Sequence, residues 1–219
     1  MKQSGRMASG SRLRGLYVLA DDDRHWPHGP LAQARAACAA GAAVVQLRAK
    51  HATDRETLAL ATEIRRLTAA SGLLFFVNDR FDLALLCGAD GVHLGQDDLP
   101  LAAARALGPD LLVGISTHDP EQARAAVAGG ADYVGCGPVF ATTTKPGPDP
   151  IAGLAGLGAV CAAVRVPVVA IGGITLANAP AVLAAGAAAV AVISAVNYAP
   201  DVVAAGRSLV AAWAAGARR

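Results

Sequence analysis

Short apolar runs of strand length recur along this chain and alternate with longer Ala/Leu-rich stretches of helical character. The runs predict strands at 15–20, 43–48, 73–77, 91–94, 112–115, 133–136, 168–171 and 190–193. The stretches between them predict helices at 29–40, 54–70, 81–87, 99–107, 120–128, 151–163, 176–185 and 201–214. Several strands are apolar on both faces, as parallel strands covered by helices are. Four joints, Ala40-Gly41-Ala42, Cys87-Gly88-Ala89, Gly129-Gly130-Ala131 and Ala185-Gly186-Ala187, each close a helix and open an even-numbered strand. Glycine just past a helix accepts the left-handed conformation that ends it. Eight βα units with no break in composition predict an α/β fold, a single-domain (β/α)8 TIM barrel over residues 14–219, with its site at the strand C-termini. The alternative, an open doubly wound sheet, would need edge strands more polar than these. Residues 1–13 are polar and basic and are expected to form a disordered tail, with Met7 a second possible start.

Composition narrows this picture. The 219 residues are 54% hydrophobic but only 4% aromatic, so Val, Leu and Ile are expected to supply most of the core volume. A net charge of +2 gives no field suited to nucleic acid, and any anion binding must be local. Cys38, Cys87, Cys136 and Cys161 have no metal-ligand spacing and read as buried reduced thiols. No apolar run is long enough to span a membrane, and 16–20 is too short for the apolar region of a signal peptide. A cytoplasmic protein is expected. Oligomeric state is left open, since Ala-rich helix faces suit either water or a partner.

The chemistry lies at the ends of the strands. The run 73–77 delivers Asn78 and Asp79, and the next strand delivers Gln96, Asp97 and Asp98. Parallel strands would bring two carboxylates to one rim, where a hard cation such as Mg2+ is held by one or two carboxylates and substrate phosphate. Solvated loop acids are the competing reading. Gln46, Arg48 and Lys50 alternate onto one face of the second strand. An inward Arg and Lys require an anion, which Arg grips as a fork and Lys as a point charge; the plainer alternative is a charged strand end reaching water. The loop 137–147 brings Thr142, Thr143, Thr144 and Lys145, donors that suit phosphate but also occur in ordinary loops. Gly172-Gly173 and Ile193-Ser194 follow the last two strands, where such barrels often cradle phosphate, although tight turns need Gly as well. Ser116 lacks a G-x-S-x-G elbow and reads as a hydrogen-bond partner of substrate. His93 reads as a packed histidine, and 21–28 as an exposed acidic loop rather than a metal loop.

Taken together, Q-L-R-x-K (46–50), N-D-R (78–80), A-D-G-V-H-L-G-Q-D-D (89–98), G-I-S-T-H (114–118), G-P-V-F-x-T-x-T-K (137–145), A-I-G-G-I (170–174) and V-I-S-A (192–195) resemble the thiamine-phosphate synthase family, in family order from 16 to 196. The resemblance implies a transferase of thiamine biosynthesis that joins 4-amino-2-methyl-5-pyrimidinylmethyl diphosphate to a thiazole phosphate and releases diphosphate. It implies that Gln46, Arg48, Lys50, Asn78, Ser116 and Lys145 hold the pyrimidine diphosphate, with Arg48, Lys50 and Lys145 catalytic. By the same resemblance Asp79 and Asp98 seat Mg2+, and Thr142, Thr143, Thr144, Gly173, Ile193 and Ser194 surround the thiazole phosphate. Two departures stand out: Ala49 where the family often has an acid, and Thr143 where it often has Pro. The rivals are a thiazole tautomerase on the same fold, and a regulatory barrel that binds thiazole or thiamine phosphate without turnover. The diphosphate clamp argues against the tautomerase.

Overall fold

The computed structural model describes residues 12–142, 144 and 150–216. Its strands are β1 (Gly15–Asp21), β2 (Val44–Arg48), β3 (Leu74–Asn78), β4 (Gly91–Leu94), β5 (Leu112–Thr117), β6 (Tyr133–Cys136), β7 (Val168–Ile171) and β8 (Ala189–Val192). Every neighbouring pair is parallel, and β1 pairs with β8, so the sheet closes on itself as an eight-stranded TIM barrel. Around it run α1 (Pro30–Ala40), α2 (Asp54–Ser71), α3 (Phe81–Cys87), α4 (Leu101–Leu107), α5 (Pro120–Ala128), α6 (Gly153–Ala163), α7 (Ala179–Ala184), the single turn α8 (Ser194–Asn197) and α9 (Val202–Gly216). The predicted alternation holds throughout. Only α8 has no counterpart in the sequence reading, because one turn is too short to set up a periodic pattern.

Two of the four joints cap their helices as expected, whereas the helices before Gly130 and Gly186 end on right-handed Gly129 and Ala185. Gly41 and Gly88 end their helices in the left-handed region at φ 80° and 67°. At the other end of its helix, α2 starts on a reciprocal cap: Thr53 Oγ1 accepts from the Glu56 amide, and the Glu56 carboxylate accepts from the Thr53 amide.

Two hydrophobic layers result from strand alternation. Val18, Val45, Leu47, Phe75, Val77, Val113 and Val134 point outward and pack beneath the helices. Tyr17, Leu19, Val44, Leu74, Phe76, Leu112, Tyr133 and Val169 point inward and fill the barrel. Aliphatic residues dominate the outer layer, as composition suggested. The interior departs from that expectation, because three of the few aromatic rings meet there. Tyr17 lies 6.1 Å from Phe76 and 6.3 Å from Tyr133, and Phe76 meets Tyr133 edge-on at 5.5 Å. Room for them comes from glycines on adjacent strands. A Cβ on Gly91 would stand 2.2 Å from Phe76 Cε1, and one on Gly114 would stand 2.0 Å from Tyr133 Cζ.

Leu13, just ahead of β1, is fully buried against this inner layer; residues 1–11 lie outside the described ones. All four cysteines are free; Cys136 is buried and the other three are half-buried. Burial pushes each thiol up, Cys136 to about 12, so none is a ready nucleophile. Among the described residues no helix is long and apolar enough to cross a membrane.

Candidate active site

At the C-terminal mouth of the barrel lies a cavity of about 620 Å3 lined from all eight strands or the loops that follow them. Gln46, Arg48, Lys50, Asn78, Asp79, Asp98, Ser116, Thr142, Thr144, Gly173, Ile193 and Ser194 all face it. Thr143 and Lys145 lie outside the described residues. The alternation argument for β2 therefore gives the right face, with Leu47 turned into the outer layer.

Each charged group is held by its own local device. Arg48 reaches the cavity while its guanidinium donates to Asp21 Oδ2 at 2.6 Å. Asp21 is only 1% exposed, and it also accepts from Trp26 Nε1 at 2.8 Å and from the Asp23 amide at 3.0 Å. This corrects the reading of 21–28 as an exposed acidic loop: its first residue is the buried counter-ion of Arg48. The signal was present in the alternation Tyr17, Leu19, Asp21, but the predicted strand stopped at residue 20. Asp22 accepts from three successive backbone amides, Lys50, His51 and Ala52, at 2.9, 2.9 and 2.7 Å. That carboxylate moulds the β2–α2 loop and so places Lys50.

On the β3–β4 side, Asp79 adopts φ 61°, a left-handed conformation tolerated by Asp, with its amide bonded to the His93 carbonyl at 2.8 Å. The turn aims its carboxylate at the Lys50 ammonium and toward Asp98. Asp98 is fixed in turn by the Gly95 amide at 2.6 Å. Desolvation raises the pKa of Asp79, and Asp98 raises it further against the opposing pull of Lys50. Two neighbouring carboxylates at the rim of this cavity are a donor set suited to a divalent cation. No group of three or more His, Cys, Asp or Glu side chains gathers among the described residues, so an all-protein metal cage is not formed there.

Opposite, the β6–α6 loop rests on the glycines after β7. The Val139 and Phe140 amides donate to the carbonyls of Ile171 and Gly172 at 2.8 and 3.0 Å. A Cβ on Gly173 would stand 2.5 Å from the Ala141 carbonyl oxygen. Gly173 is thus needed for the loop to approach, and Thr142 and Thr144 are brought with it, their hydroxyls 3.4 Å apart.

Beneath the cavity floor runs a chain of side-chain hydrogen bonds. Asn78 meets Gln46 at 3.0 Å, Gln46 meets Tyr17 at 2.6 Å, and Tyr17 meets Tyr133 at 3.0 Å. Tyr133 meets His93 Nδ1 at 2.8 Å, and His93 Nε2 meets Ser116 Oγ at 2.9 Å. His93 is the hydrogen-bonded histidine the sequence suggested, but its partners come from strands that sequence spacing does not connect. Desolvation lowers its pKa from 6.5 to about 4, and Asp98 opposes that shift. Between those values the unfolded chain binds a proton that the native chain does not, so this contribution to stability is full above pH 6.5 and is lost as pH falls toward 4. His93→Gln is expected to flatten the fall in urea midpoint between pH 7 and 4.5. Parallel wild-type and variant profiles would rule His93 out as a source of acid sensitivity.

Residues 16–196 match the family model described as thiamine monophosphate synthase. The chain belongs to this family. Two thiamine-phosphate synthases illustrate the likeness. That of Chloroflexus aurantiacus is 50% identical over 194 residues, covering 89% of this chain and 90% of the relative. That of Anaeromyxobacter dehalogenans is 51% identical over 214 residues, covering 97% and 92%. A solved thiamine phosphate pyrophosphorylase from Pyrococcus furiosus superposes with a TM-score of 0.88 at 39% identity, covering 94% of this chain and 98% of that one. A 3-hexulose-6-phosphate synthase at 23% identity and TM-score 0.66 shares the barrel alone. Membership of the thiamine monophosphate synthase family makes the chain a transferase enzyme.

Proposed function

We propose that this chain joins 4-amino-2-methyl-5-pyrimidinylmethyl diphosphate to a thiazole phosphate, giving thiamine phosphate and diphosphate. The observation that carries this reading is that one cavity is lined by two separate sets of polar groups, each suited to an anion. Arg48, Lys50 and the Asp79–Asp98 pair stand at the ends of β2 to β4, and Thr142, Thr144, Gly173 and Ser194 stand at the ends of β6 to β8. An enzyme that only rearranged a thiazole phosphate would have no use for the first set.

The bond that breaks joins the pyrimidine methylene to a diphosphate oxygen, and both electrons leave with the diphosphate. The electron-rich aminopyrimidine stabilises the cationic methylene, which the thiazole nitrogen then attacks to form the new C–N bond. No protein nucleophile is needed, consistent with four raised thiols and with Ser116 held by a histidine in the barrel floor. Arg48 and Lys50, fixed in advance by Asp21 and Asp22, stabilise charge developing on the leaving diphosphate. Lys145 is assigned the same task. Asp79 and Asp98 would hold Mg2+, which supplies further positive charge to the diphosphate oxygens.

The test mixes purified protein with both substrates, with and without Mg2+, and quantifies thiamine phosphate. Mg2+-dependent product is expected, and Asp79→Asn and Asp98→Asn should each lower it sharply. Absence of product, with thiazole phosphate still tightly bound, would move the assignment to the tautomerase or regulatory barrel.

A further inference from the structure

The hydrogen-bond chain under the floor has a direction, and the direction reaches the substrate. Gln46 donates through Nε2 to Asn78 Oδ1, and its Oε1 accepts from the Tyr17 hydroxyl. Tyr17 has a single hydroxyl hydrogen, now used, so its oxygen can only accept from Tyr133 across their 3.0 Å contact. Tyr133 has then spent its own hydrogen, and its oxygen must accept from His93 Nδ1–H. A neutral imidazole carries one N–H, which leaves Nε2 as an acceptor for the Ser116 hydroxyl at 2.9 Å. Neutrality is supported by placement: the ring lies in the barrel floor, 5.4 Å from the Tyr133 ring, and both its nitrogens meet uncharged hydroxyls.

We infer that His93 is a positioning residue, held by Tyr133 and Tyr17 as the Nδ1–H tautomer, and that it turns the Ser116 hydroxyl hydrogen inward so that Ser116 presents only acceptor lone pairs to the cavity. At the far end of the chain Asn78, accepting from Gln46 through Oδ1, offers its Nδ2 hydrogens as donors. The two ends of one chain therefore show the substrate opposite polarities, donor at Asn78 and acceptor at Ser116. An acceptor is poorly placed against a diphosphate oxygen and well placed against an N–H donor. Resting on the function proposed above, Ser116 is assigned to the exocyclic amino group of the aminopyrimidine, and the chain becomes a selector of amino over oxo substituents.

Two measurements on the full-length protein test this. Nitrogen-15 NMR of the unliganded wild type should find His93 protonated on Nδ1. A proton on Nε2 would reverse every bond in the chain and overturn the proposal whatever the turnover. Tyr133→Phe keeps the ring that packs over Gly114 but removes the acceptor for Nδ1–H, freeing His93 to change tautomer and Ser116 to turn. The variant should raise KM for the pyrimidine diphosphate about five- to tenfold, the scale of one hydrogen bond, and leave KM for the thiazole phosphate unchanged. It should also reduce by about tenfold the wild type's preference for the 4-amino over the 4-oxo pyrimidine diphosphate. An unchanged preference, with or without a fall in melting temperature, would show a purely structural Tyr133 and overturn the selector. If His93 is the Nδ1–H tautomer but the wild type turns over no aminopyrimidine diphosphate, the function reading has failed and the amino-group assignment with it.

Discussion

Arg48→Ala is expected to lower kcat by on the order of 10²–10³, the usual cost of losing one preorganised group that stabilises developing charge. The side chain is 21% exposed, enough to touch substrate, and its guanidinium is pinned to a carboxylate that is 1% exposed. Because the Asp21 interaction settles the geometry before substrate arrives, little reorganisation is left for the reaction itself. The same pairing adds a second effect. Truncating Arg48 strands the Asp21 carboxylate in the barrel wall, and removing one partner of a buried pair destabilises by roughly 3–5 kcal/mol. Arg48→Lys keeps a charge but loses the planar fork that serves Asp21 and the cavity together, so it should restore only part of the rate. Asp21→Asn separates the two effects, since it frees Arg48 without deleting it: turnover should fall less than in Arg48→Ala. Steady-state kinetics and thermal melts on the three variants decide the matter, and near-wild-type turnover in Arg48→Ala would remove Arg48 from the diphosphate clamp.

The second large effect is on folding. Gly114→Ala would put a methyl group 2.0 Å from Tyr133 Cζ and 2.5 Å from its hydroxyl oxygen. Tyr133 cannot simply swing aside, because its hydroxyl is bonded to both Tyr17 and His93 and its ring meets Phe76 edge-on. Overpacking a core typically costs about 1–3 kcal/mol, and a clash this short belongs at the upper end or beyond. For a domain of this size that corresponds to a melting temperature lower by roughly 6–12 °C. A companion Tyr133→Phe change removes the hydroxyl oxygen and its two anchors, which lets the ring shift, and should recover part of the loss. A melting temperature within a degree of wild type in Gly114→Ala would mean that the barrel interior relaxes far more readily than this packing implies.

Much of this molecule could be read from its residues. Short apolar runs, four of them opened by a glycine joint, located every strand, and several are apolar on both faces as covered parallel strands are. Alternation from Gln46 through Arg48 to Lys50 placed three side chains in the cavity, because a strand's parity is a local property. What escaped was whatever depended on a register between distant strands. Tyr17 and Tyr133 are 116 positions apart, and nothing in either neighbourhood announces that their hydroxyls touch. Asp21 was missed for a smaller reason: three consecutive acids look like a solvated loop, and only extending β1 by one residue gives the first of them an inward parity. Gly173 lies where such barrels often cradle phosphate, and its packing against Ala141, which only the fold reveals, also lets the neighbouring loop approach. Thr143 and Lys145 rest on the family resemblance.

Asp22 gives the cavity an asymmetry in time as well as in charge. By gathering the amides of Lys50, His51 and Ala52, it completes the ordering of that segment while the chain folds. Arrival of a diphosphate then has no loop left to order, and the entropy of quieting one is absent from its dissociation constant. The cationic wall is finished before the first substrate enters.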